Sequence, residues 1–255
     1  DTVYPFTYND FEQLLDICDN NDIGVIKMEV VRNFGPENDF LQKVRDLATQ
    51  RSIVLVFDEC TSGFRETFGG IHKKFSVNPD IAMFGKTIGN GYALTAVVGV
   101  EKVMKSVEET FISSTFWTER IGPTAALKTL EVMENIESWN IITGIGKKVR
   151  SSWSDLFKKH DIDFSISGIP SLSSYTFKKN DLEIQTLITQ EMLKKGFLAS
   201  NRFYACIAHN NELLDSYFNA FDETLNSISK IKNSKTEIIN KLNGPVRHSG
   251  FKRLN

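Results

Sequence analysis

Two short apolar runs, each ending on a charged residue, constrain this chain more than any other feature. Ile53-Val54-Leu55-Val56-Phe57 runs into Asp58, and Ile81-Ala82-Met83-Phe84 runs through Gly85 into Lys86. Uninterrupted apolar runs of this length suit strands covered on both faces, as in a parallel sheet flanked by helices. In open α/β sheets the ligand crevice lies beyond the carboxyl ends of the strands. Asp58 and Lys86 are therefore expected at the rim of one site. The preceding chain has the matching rhythm. A strand candidate at 23–31 is followed by a helix starting at Asn38 or Asp39, with Phe40, Leu41, Val44, Leu47 and Ala48 at helical spacing. Strand, helix, strand in this order is a βαβ unit.

An aspartate and a lysine at such a rim suit pyridoxal 5'-phosphate (PLP). Its aldehyde needs a lysine amine to form a Schiff base, and its ring nitrogen needs a carboxylate to stay protonated. A lysine in a dry, glycine-lined pocket becomes nucleophilic, and Gly85, Gly89 and Gly91 let backbone approach a ligand closely. The plainer reading makes Asp58 a helix cap and Lys86 a solvated loop residue.

Longer motifs decide between these readings. Asp58-Glu59-Cys60-Thr61-Ser62-Gly63-Phe64-Arg65, then Gly69-Gly70, Pro79-Asp80, Gly85-Lys86 and Gly89-Asn90-Gly91 resemble the core of a class III, fold-type I PLP-dependent aminotransferase, in its glutamate-1-semialdehyde aminomutase-like branch. The resemblance implies that Lys86 carries the Schiff base and Asp58 holds the pyridinium. Cys60 stands where the family usually has a valine against the cofactor ring, and a thiol fills that space as a small hydrophobe. Met28-Glu29-Val30-Val31-Arg32-Asn33 resembles the family's Glu-Pro-Val-x-x-Asn segment, which implies that Asn33 reaches the cofactor's phenolic oxygen and that Glu29 sits near the site or supports its loop. Arg65 is expected to order the active-site loop. Thr115 corresponds to a threonine that reaches the cofactor phosphate of the neighbouring subunit, with Thr118 as competitor. This implies a homodimer with shared active sites.

A rival reading takes 53–59 as a Walker B strand and Gly85-Lys86-Thr87 as the end of a Walker A loop. The phosphate-cradling loop needs a glycine where this chain has Asp80, and the order of the two motifs is reversed. Other classes are disfavoured by composition. The net charge of -2 gives no electrostatic case for nucleic acid. No apolar run approaches a membrane span, and the N-terminus is no signal peptide. Cys18, Cys60 and Cys206 show neither a disulfide framework nor zinc spacing, which fits a cytoplasmic protein. The four histidines show no metal-ligand spacing and are read as structural or surface residues.

The rest of the chain reads as a helix after Asn9-Asp10, a strand at 93–100, a short helix at 101–108 and a long helix at about 119–136. A domain change is expected near 141–146. Beyond it come a helix at 147–160, strands within 161–177, a helix at 182–195 capped by Gly196, a strand at 197–208 and a helix at 212–231. The expected organisation is a partial large PLP-binding domain (1–140) with a mostly parallel sheet, an α+β small domain (141–231) and a polar tail (232–255), either docking arm or linker. Arg202 or Tyr204 could face a substrate, though both fit structural roles.

The resemblance covers only the second part of the family's fold. The family's upstream phosphate loop and ring-stacking aromatic are not found, so the chain is expected to be a piece of a longer protein and inactive alone. The function implied is aminotransferase or aminomutase chemistry between a small-molecule amino donor and a carbonyl acceptor. Amino acid, semialdehyde and amino-sugar-type substrates all remain open. The alternative is a non-catalytic PLP-binding or scaffolding domain of the same fold.

Overall fold

The computed structural model describes residues 2–112 and 118–250. The chain divides into two units, Asp1–Asn140 and Ile141–Asn255.

The first unit is built on a four-stranded sheet. Its strands β1 (Val25–Met28), β2 (Val54–Asp58), β3 (Ile81–Phe84) and β4 (Ala96–Gly99) lie side by side in chain order. β1, β2 and β3 are parallel, and β4 runs antiparallel to β3. The first strand is shorter than the apolar run suggests. Val30 and Val31 are buried, but the Val30 carbonyl accepts from the Tyr8 hydroxyl and leaves the ladder.

Helix α1 (Phe11–Asn20) is capped by Asp10, whose carboxylate accepts from the Gln13 amide at 3.0 Å. Helix α2 (Phe40–Gln50) buries the expected stripe of Phe40, Leu41, Val44, Leu47 and Ala48. It starts without a side-chain cap, because Asp39 is left-handed (φ 59). Asp80 joins these layers: one of its oxygens takes the Leu55 amide at 2.7 Å and the Arg45 guanidinium at 2.9 Å. A residue committed to holding β3 against β2 and α2 cannot also open a phosphate loop. After β4 come a short helix α3 (Glu101–Met104) with a 3₁₀ turn (Lys105–Glu109), then helix α4 (Ile121–Ile136).

The second unit packs helices against a three-stranded antiparallel sheet. Its elements are helix α5 (Ser138–Lys159), strands β5 (Phe164–Ser167) and β6 (Leu172–Phe177), helix α6 (Asp181–Lys194), strand β7 (Arg202–Tyr204), helix α7 (Asn211–Ser229) and helix α8 (Lys235–Asn240). Aromatic side chains dominate its core. Trp153, Phe157, Tyr175 and Phe221 are fully buried, and the Trp153 indole donates to the Tyr217 hydroxyl at 2.9 Å.

The two units divide at Asn140 and Ile141, beside the stretch 141–146, which is itself helical and part of α5. Two expectations change here. The strand expected at 197–208 shrinks to three residues. The polar tail contains α8, whose Ile238 is fully buried in the core and whose Lys235 pairs with Glu183 of α6 at 2.7 Å. Among the described residues, no helix is long and apolar enough to cross a membrane.

Candidate active site

Alternation along β2 decides what its carboxyl end presents. Leu55 and Phe57 are fully buried on one face, so Val56 and Asp58 point to the other. The parallel register sets Lys27 of β1 beside Val56 and Met28 beside Phe57. Lys27 therefore shares the face of Asp58, and its ammonium lies 3.1 Å from Asp58 Oδ2. Asp58 Oδ1 accepts from the Cys60 amide at 3.2 Å. Burial pushes the Asp58 carboxyl up, but the Cys60 amide and the Lys27 ammonium outweigh it and hold it below its usual range. Asp58 is thus held as a carboxylate with Lys27 as its counter-ion.

Directly behind it lies a buried group that the motifs do not single out. Glu59 is fully buried. One of its oxygens accepts from the His72 amide at 3.0 Å and contacts His72 Nδ1 at 2.9 Å, and the other takes the Ser62 hydroxyl. Burial raises the Glu59 pKa, but these donors outweigh it and leave the carboxyl below its ordinary value. Histidine spacing speaks only to metal sites and gives no hint of this partnership. The available signal is Glu59 itself, a second carboxylate after Asp58 that strand alternation must send inward.

Lys86 follows β3 as Asp58 ends β2, and the two strands are parallel neighbours. Lys86 Nζ donates to Thr61 Oγ1 at 3.0 Å, which ties it to the loop after Asp58. Its backbone is left-handed (φ 46), a conformation that costs a non-glycine residue about 1 kcal/mol and is concentrated at functional sites. Gly85 lets this turn approach the Asp58 loop: a Cβ there would stand 3.3 Å from Cys60 Sγ. The Cys60 thiol is pushed up by burial and by Asp58, and is drawn down by the nearby Lys86 and Lys27 charges. One thiol thus senses both charged ends. Lys86 is exposed, so the dry surroundings expected for it are not supplied by the described residues.

The remaining candidates are placed less tightly. Asn33 is exposed in the bend beyond the carboxyl end of β1. Glu29 pairs with Arg32 at 2.9 Å, a contact within its own loop. Arg65 Nε donates to the Thr61 carbonyl at 2.7 Å. Thr115 lies outside the described residues. Arg202 and Tyr204 belong to the second unit, where they line a cavity of about 540 Å³ with Phe197, Phe203, His209 and Tyr217.

Known proteins resemble this chain in sequence and in fold. The family model described as aminotransferase class-III matches residues 32–225. A 3-aminobutyryl-CoA aminotransferase from Cloacimonas acidaminovorans (strain Evry) is 31% identical over 245 residues, covering 90% of this chain and 59% of that protein. A glutamate-1-semialdehyde 2,1-aminomutase from Methanococcoides burtonii is 28% identical over 200 residues, covering 75% and 47%. Among solved structures, the PLP internal aldimine form of the FumI protein of Sphingopyxis sp. MTA144 superposes with a TM-score of 0.85 at 20% identity, over 90% of this chain and 58% of that one. An omega-transaminase from Sphaerobacter thermophilus superposes with a TM-score of 0.77 at 18% identity, over 88% and 56%. The chain thus spans roughly half of the length of the curated relatives it matches.

Proposed function

Because the chain belongs to the class-III aminotransferase family, we propose that it carries the lysine and aspartate of a PLP-dependent aminotransferase or aminomutase, with Lys86 as the attachment point and Asp58 as the partner of the ring nitrogen. The observation that carries this reading is the junction of β2 and β3. The carboxylate of Asp58 ends β2 and the amine of Lys86 opens the turn after its parallel neighbour β3, with Thr61, Cys60 and Gly85 between them.

The donor set fits the group. Asp58 is held as a carboxylate and suits a protonated ring nitrogen. Lys86 offers a primary amine. Gly85 leaves room that a Cβ would fill. When bound, PLP supplies an aldehyde for covalent attachment and a ring that draws off carbanion charge. The chain's own part is to hold and position. Asp58 keeps a proton on the ring nitrogen, and a carboxylate held ionised does so at neutral pH. Lys86 supplies the amine and, once released, holds a proton at Nζ beside the Thr61 hydroxyl. Cys60 packs where the family's valine would stand. Asn33 is assigned to the phenolic oxygen and Thr115 to a partner subunit's phosphate. Those two roles rest on the family resemblance, and the second makes the working form a homodimer. The three free cysteines agree with a cytoplasmic setting.

The substrates are an amino donor and a carbonyl acceptor. The named relatives are a 3-aminobutyryl-CoA aminotransferase and a glutamate-1-semialdehyde 2,1-aminomutase, so aminoacyl thioesters and amino acid semialdehydes are the first to try. The test is turnover by the whole protein with a panel of donors and acceptors. Keto product is expected from the wild type, with a loss of at least about a thousandfold in Lys86→Ala. A wild type that binds PLP but yields neither keto product nor an isomer with its amino group moved would instead be a sensor or scaffold. A Lys86→Ala variant at the wild-type rate would contradict the assignment.

A further inference from the structure

Lys27 is not among the residues that the motifs single out, and nothing in the packing of β1 calls for it. Its neighbours on either side, Ile26 and Met28, are buried, whereas Lys27 stands on the strand's open face beside exposed Val25. An apolar or neutral side chain would serve the strand equally well. The charge is nevertheless brought to one place, with its ammonium 3.1 Å from Asp58 Oδ2. The other oxygen of Asp58 already accepts from the Cys60 amide. Both oxygens of the carboxylate are thus engaged by groups of the chain itself.

We propose that Lys27 is a resident counter-ion of Asp58 that competes with the cofactor's ring nitrogen for the carboxylate, and so sets how strongly the nitrogen contributes to cofactor binding. The inference rests on the reading of Asp58 and Lys86 as a PLP site. Two cations on one carboxylate repel each other, so the incoming ring nitrogen must share Asp58 or displace Lys27. Either way, part of the attraction between carboxylate and ring nitrogen is spent on the competition. Because Lys27 is half exposed, solvent screens the effect, and it should be the size of a partly exposed ion pair rather than a buried one.

The experiment measures the affinity of the whole protein for two ligands by absorbance titration. One is PLP. The other is its analogue with CH in place of the ring nitrogen. Lys27→Met, with Lys27→Gln as a second variant, should raise the ratio of analogue Kd to PLP Kd by about three- to fivefold. Lys27→Arg should leave the ratio unchanged, because it keeps the charge. The ratio cancels any general loss of attraction for the phosphate, which both ligands carry. An unchanged or lowered ratio in both neutral variants overturns the proposal. The two failures are separable. If the wild type attaches PLP to Lys86 and the ratio does not move, only the role of Lys27 falls. If the wild type attaches no PLP, the functional reading falls and the role of Lys27 with it.

Discussion

Asp58 and Glu59 are adjacent carboxylates with different tasks, and strand geometry separates them. Asp58 faces the open side of the sheet and meets Lys27. Glu59 turns inward and meets His72 and Ser62. The inner residue anchors the loop that carries Cys60 and Thr61, so its effect on the site is one of position. Its contribution to stability depends on pH. The folded-state pKa of Glu59 lies below its usual value, which is about 4.3 in an unfolded chain. The stability it adds is therefore complete above that value and is lost as pH falls through the lower, folded-state one. Glu59→Gln should cost about 2 kcal/mol near neutrality, because an amide NH₂ group would face donors in a buried site. Denaturant melts across pH should show the gap between wild type and variant closing below about pH 4. A gap that stays constant down to about pH 3 would mean that the Glu59 charge is not what the His72 loop requires.

The elements show which signals in the sequence carried through and which did not. β2 and β3 were legible because an apolar run between a loop and a charge leaves few alternatives, and α2 was legible from its stripe of five apolar positions. β7 was overread: apolar residues occur throughout 197–208, but Leu198 and Ile207 are exposed, and only Arg202–Tyr204 pairs with β6. The helix expected at 147–160 begins earlier, at Ser138, and so takes in Gly144 and Gly146. Both lie within α5, where the buried positions Ile142, Gly146, Val149, Trp153 and Phe157 form one stripe. Gly146 is there for contact: an added Cβ would fall 2.0 Å from the Pro170 carbonyl oxygen. A close approach to backbone cannot be relieved by a rotamer change. Gly146→Ala should therefore destabilise the second unit by about 3 kcal/mol, even though alanine is the better helix former. Gly144→Ala, with open space around its added Cβ, should be neutral or stabilising. Trp153 fluorescence reports on both variants, and equal effects at the two glycines would refute this account of α5.

At the scale of the whole molecule, the chain brings together what two parallel strands can bring: a carboxylate, an amine, and the loops joining them. The placement of Asp58 and Lys86 just beyond neighbouring parallel strands was readable because each residue closes an apolar run. The partnership of Lys27 with Asp58 was not readable, since a lysine in a short strand carries no signal until the register places it. The fold of the tail was also hidden. Ile238 and Leu242 reach the core from a mostly polar stretch, and hydrogen bonds from Arg247 to Gln185 and Asn201 fasten the segment beyond α8. The chain spans about half of its relatives' length, so the central claim is best tested on the whole protein, by a measurement that does not depend on guessing the substrate. That measurement is borohydride reduction in the presence of PLP, followed by peptide mass mapping. The account predicts one pyridoxyl group, on the peptide containing Lys86, and its loss in Lys86→Ala. A pyridoxyl group on Lys27 or spread over surface lysines, with Lys86 unmodified, would contradict it.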